Sequence, residues 1–132
     1  MEYIVVGGKC YDDIAVRVKR SFEILHSDNS GRTSTAGAKM ALDPLGTFYN
    51  YIVTFKRMSG KERLYDELWE YLSVPRDYGI PVTLVYNQMT ISFDAYVSSG
   101  EQDLKKINRR SGLVEWDSME VKFIPMEANV LP

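Results

Sequence analysis

Chemistry in this chain would have to start from very few reactive side chains. His26 is the one histidine and Cys10 the one cysteine among 132 residues. A nucleophilic site needs an attacking group and a base held within hydrogen-bond reach of each other. His26 has Asp28 two residues away, but nothing in the spacing marks Cys10 or a serine as a nucleophile held against it in space, so it reads as a residue at a strand end. Asp12-Asp13 could face a hard cation, yet the further oxygen ligands of a calcium loop do not follow. One cysteine and one histidine cannot close a zinc site. No pair of carboxylates stands at a spacing that marks a general acid and base.

Three other stretches carry polar or aromatic groups in a pattern. The segment GRTSTAG (31–37) has the glycines and hydroxyls of a phosphate loop but lacks the closing Gly-Lys-Ser/Thr and a following helix. It reads as a polar loop in which Arg32 and Lys39 could dock a partner. KKINRR (105–110) gathers Lys105, Lys106, Arg109 and Arg110 within six residues, with Glu101 and Asp103 nearby. Nucleic-acid contact through these four residues is the alternative function; a solvated basic loop is the plainer reading. Tyr65, Trp69 and Tyr71 could line a ligand pocket, although at helical spacing they more often pack on a sheet. The expectation is a protein with no catalytic residues, no metal and no cofactor.

Composition narrows the classes further. The 16 basic and 18 acidic residues leave a net charge of −2, against the basic stripe of a general nucleic-acid binder. Hydrophobic residues make up 45% and charged residues 26%, a mix able to fold without disulfides. Nine Tyr, five Phe and two Trp favour strands and interfaces. The opening MEYIVVGGKCYDD does not read as a signal peptide, and no apolar run reaches the roughly 20 residues of a membrane span. A soluble, cytoplasmic protein is expected.

The elements that would position these residues follow from periodicity. Residues 3–6 are β-prone and end at Gly7-Gly8, a hairpin signal. Ile14, Val16, Val18, Phe22 and Ile24 alternate with Arg17, Lys19, Ser21 and Glu23, which predicts a long strand with one buried face. A polar connection spans 26–46, and TFYNYIVTFKR (47–57) resumes the β pattern with Tyr49, Tyr51, Val53 and Phe55 on one face. KERLYDELWEYLS (61–73) is the one helix, with Leu64, Leu68 and Leu72 on its stripe, Ser59 as N-cap and Glu62 completing a capping box. IPVTLVY (80–86) and MTISFDAYV (89–97) form a hairpin about Asn87-Gln88. Residues 98–116 read as a second polar loop with a helical turn near 102–107, before a last strand that buries Met119, Val121 and Phe123. The fold class is α+β: one domain over 1–132, a mostly antiparallel barrel or sandwich of about six strands with one amphipathic helix.

Three stretches taken in order, GRTSTAGAKMALDPLGTFYNYIVTFKR, YDELWEYLSVPRDYGIPVTLVY and WDSMEVKFIPMEA, resemble the small structural tail proteins of long-tailed phages and prophages of Gram-positive bacteria. The layout is similar to the tail-tube and distal-tail group, and Val121, Phe123 and Pro125 to the last strand of such domains. The resemblance implies a non-enzymatic virion component made in the host cytoplasm, which forms rings with itself and contacts other tail proteins. It makes the segments 27–46 and 98–116 the candidate contacts, with Arg32, Lys39, Lys105, Lys106, Arg109 and Arg110 as their charged groups. The long extension of larger distal-tail proteins is missing, so no host-recognition role is expected.

Overall fold

Turn chemistry and alternation produce ten strands and one helix in a computed structural model that describes residues 1–28, 30–33 and 37–132. Gly7 (φ 58°) and Gly8 (φ 82°) supply the two positive φ angles of a two-residue turn, which closes β1 (Val5–Val6) onto β2 (Lys9–Cys10). A side chain on Gly7 would also collide with the Tyr71 ring of the helix. Asn87, at φ 52°, supplies the one positive φ of the two-residue turn between β7 (Ile80–Tyr86) and β8 (Met89–Tyr96), so the Asn-Gln hairpin forms as expected.

The long strands are β3 (Ala15–His26), β6 (Pro44–Phe55), β9 (Gly100–Asn108) and β10 (Leu113–Pro125), with a small hairpin of β4 (Gly31–Arg32) and β5 (Met40–Ala41) between the first two. The main sheet runs β2-β1-β7-β8-β10-β6-β3, with β9 also paired to β10, and every pairing is antiparallel. Strand β10 is the junction. Its residues 119–123 pair with β6; on its other edge 113–121 pair with β9 and Ile124–Pro125 with β8. The result is a bent, sandwich-like sheet and not a closed barrel.

Helix α1 (Glu62–Leu72) buries Tyr65 and Leu68 against the inward face of β6 and β10, where Tyr51, Val53, Phe55, Met119, Val121 and Phe123 are also buried. Lys9 Nζ donates to Glu67 and so ties the helix to the β1–β2 hairpin. The carboxyl of Glu67 is held below its usual range, chiefly by that hydrogen bond. Ser59 is not the N-cap. Lys61 occupies that position without a side-chain cap, and the Glu62 carboxylate instead takes the amides of Gly60 and Glu62 itself, which lowers its pKa. The helix enters from the Ser59-Gly60 turn, closed by the Lys61 N–H donating to the Met58 carbonyl, which sets the N-cap two residues after Ser59.

The strands bring further corrections. Strand β3 has no buried face: every residue from Val16 to His26 is exposed, because helix and hairpin cover only the strands inward of it. Residues 98–116 are not a loop with a helical turn; they fold into β9 and the first part of β10. The physical reason is long-range pairing. GEQDLKKIN has a poor intrinsic strand preference, and the ladder with β10 overrides it. The 26–46 connection likewise holds the β4–β5 hairpin, and β6 starts at Pro44, three residues before the expected Thr47.

Leu68→Ala should cost about 2–5 kcal/mol, because it opens a cavity in a fully buried site. Phe22→Ala, at a residue 68% exposed, should leave the stability of the isolated chain within about 0.5 kcal/mol of the parent. Urea unfolding of both variants measures the contrast.

Candidate functional site

The residues that sequence reading considered for chemistry do not converge. Cys10 is on β2 and His26 ends β3, at the two opposite ends of the strand order. Burial raises the pKa of the Cys10 thiol. Asp12 is occupied by structure. Its Oδ1 accepts the backbone N–H of Ile4 at 2.6 Å, and both its carboxylate oxygens lie within 3.1 Å of the Tyr3 amide. Asp13 pairs with Lys61 at 3.1 Å. In the GRTSTAG segment Ser34, Thr35 and Ala36 lie outside the described residues, while Arg32 Nη1 donates to the Ala38 carbonyl at 3.2 Å. Lys39 is exposed beside β5, and its carbonyl accepts from Thr33 N–H.

The helix aromatics separate. Tyr65 is a core residue whose hydroxyl lies 2.8 Å from Gln102 Oε1 and 2.6 Å from the Asp117 carbonyl, so the helix is bonded to both strands of the β9–β10 hairpin. Burial pushes its pKa up to about 12, with the carboxylates of Asp66 and Asp117 adding to the effect. Tyr71 stacks under the Arg76 guanidinium at 4.3 Å. Trp69 lines a cavity of about 470 Å³ between the end of the helix and the β8–β9 connection, with Val74, Tyr78, Tyr96 and Val97.

What the fold does assemble is an unfinished surface. The long half of the sheet has the order β9-β10-β6-β3, and both of its outer strands are unpaired on their outer edges among the described residues. Pairing fixes which residues share a face. Val18, Arg20, Phe22 and Ile24 lie opposite Val53, Tyr51, Tyr49 and Thr47, on the side that carries the core. Arg17, Lys19, Ser21 and Glu23 face the other way. Arg20 reaches across to the β7–β8 turn, 2.9 Å from Asn87 Oδ1 and 5.3 Å from the centre of the Tyr86 ring.

The edges differ in charge. Edge β3 carries Arg17, Lys19 and Arg20, whereas the start of β9 carries Glu101 and Asp103. The β9–β10 hairpin then runs past the end of β6, with Lys105 and Lys106 late on β9 and Arg109 and Arg110 in the turn, all exposed and without an ion pair among the described residues. Arg32 and Lys39 belong to the small hairpin that follows the far end of β3, so the six expected interaction residues form two separate groups. Sequence reading missed the β3 and β9 edges themselves. Their signals were present, as an eleven-residue alternation and a reversal of charge.

No family model matches the chain, and no curated protein matches it in sequence. No helix among the described residues is long and apolar enough to cross a membrane.

Replacing Tyr65 by Phe removes the one hydroxyl proton that lies between Gln102 Oε1 and the Asp117 carbonyl, at a cost of about 1–3 kcal/mol near neutral pH. Because the folded pKa lies above the ordinary value of 10, the folded state keeps this proton where the unfolded state loses it. Its stabilising share is complete below pH 10 and is lost as pH rises towards about 12. Denaturation across that range should show a shallower fall in stability for Tyr65→Phe than for the parent.

Proposed function

We propose that the protein is a structural assembly component that associates with copies of itself, as a ring-forming, non-enzymatic subunit of a phage or prophage tail. One observation carries the assembly reading: among the described residues a four-stranded sheet has two open edges, β3 with a basic stretch and exposed apolar side chains, and β9 with an acidic start. Val16, Val18, Phe22, Ile24 and Leu25 are each 37–68% exposed on a single strand. A long edge with unpaired N–H and C=O groups is a template for another strand, and native proteins keep such edges short or covered unless they are used. Because β9 and β3 run antiparallel to each other, adding β3 of one copy to β9 of another continues the alternation without a break. Such a head-to-tail contact is heterologous, and closes into a ring when its rotation permits. The tail assignment itself comes from the resemblance in strand and loop order.

Light scattering and negative-stain electron microscopy of the purified chain test the reading. Rings or tubes should appear as concentration rises; a strict monomer at every concentration, alone and with neighbouring tail proteins, would remove it.

The unpaired cations at the β9–β10 turn favour a second reading, contact with nucleic acid. Four phosphate contacts predict a log–log salt dependence of slope about −3 to −4, abolished when Lys105, Lys106, Arg109 and Arg110 become Ala. Fluorescence anisotropy with a labelled duplex and a labelled single strand measures it. Salt-independent or absent binding excludes this role.

A further inference from the structure

We infer that the cavity at the end of the helix is the receptor for Phe22 of a second copy, and that two charge pairs set the register of that contact. This rests on the assembly reading and adds to it which residues meet. The cavity opens on the core side of the sheet, lined by Met119 and Val121 of β10 and by Gly100 at the start of β9. Phe22 lies on the core side at the opposite edge of the sheet, 68% exposed. When β3 of one copy is added to β9 of the next, the two core sides must coincide. Only registers that move in steps of two residues achieve that, since a one-residue slip sends every side chain to the other face.

Charge selects among those registers. With Lys19 opposite Glu101, Arg17 falls opposite Asp103, so both cations meet carboxylates on the outward face. Moving two residues one way puts Arg17 against Lys105, a like-charge pair; moving two the other way leaves Asp103 opposite Ala15. None of Arg17, Lys19, Glu101 and Asp103 makes an ion pair within its own chain among the described residues. The favoured register carries Phe22 beyond the start of β9 to the level of Ser98, which lines the cavity mouth. There the ring meets Trp69, Val74, Tyr78 and Tyr96, with Arg76 as the only charged group in the lining. At about 470 Å³ the cavity has room for a phenyl ring and its neighbours. An aromatic anchor in a desolvated pocket, flanked by charges that orient it, is the arrangement that dominates protein interfaces.

The test uses the full chain. Phe22→Ala and Val74→Asp, one on each side of the contact, should each weaken association about thirtyfold or more by sedimentation, with the circular dichroism of the monomer unchanged. Arg17→Glu with Lys19→Glu should abolish assembly, and so should Glu101→Lys with Asp103→Lys; all four changes in one chain should restore it. In a Cys10→Ser background, Lys19→Cys with Glu101→Cys should give a ladder of cross-linked multimers under mild oxidation. Assembly that ignores Phe22→Ala and Val74→Asp, and shows no ladder, overturns the inference while the assembly reading stands, and gives the cavity to a different ligand. Absence of any assembly overturns both.

Discussion

The pairing of both edges of one strand, β10, is the constraint on which the rest of the structure depends. On one side it holds β6; on the other it holds β9 and then, over its last two residues, β8. Its alternation supplies the floor of the core. Met119, Val121 and Phe123 are buried and interleaved with exposed Glu120 and Lys122. Along that edge the partner changes from β9 to β8, and the register with β9 is irregular on both sides of Trp116. Remove that double pairing and the helix loses its seat, because Tyr65 hydrogen-bonds to one residue from each strand of the hairpin.

A strand used on both edges leaves others used on one. Twelve-residue β3 has β6 on one side and solvent on the other, and the elements that cover the core face stop short of it. Leaving apolar side chains on an open edge invites non-specific pairing, which natural sequences blunt with charge and bulges. Strand β3 has both devices, in Arg17, Lys19 and Arg20 and in the register shift between Ala15 and Arg17. The same charges that repel an arbitrary strand admit one whose edge is acidic. The edge of β9 meets that condition at Glu101 and Asp103, before its charge reverses at Lys105. In the proposed assembly, edge protection and partner choice are one property.

Much of this was legible in the residues. The helix, the two tight hairpins and the inward faces of β6 and β10 follow from local periodicity and turn chemistry, which act within a few residues. The alternation of β3 was equally visible, yet its meaning was misread. Alternation shows that a strand has an apolar face but not whether its own chain covers that face. Residues 98–116 read as a loop for a related reason: the charged, polar run 100–108 has no local preference for a strand, and only the ladder with β10, formed across a turn, makes one. The cavity at the helix end was beyond sequence reading, since its walls come from the helix, β8, β9 and β10 together.

The amino-acid sequence by itself therefore determined the helix, the strands β3, β6, β7 and β8 with their apolar faces, and the two tight turns. Tertiary structure alone decided that, among the described residues, β3 and β9 end up as the free edges of one sheet, and that an aromatic-lined cavity and an exposed phenylalanine share the same side. The division is physical. Side-chain periodicity is a local property of a backbone with a fixed repeat, whereas burial and edge exposure depend on which distant strands pair, and that is settled by the total free energy of the folded chain.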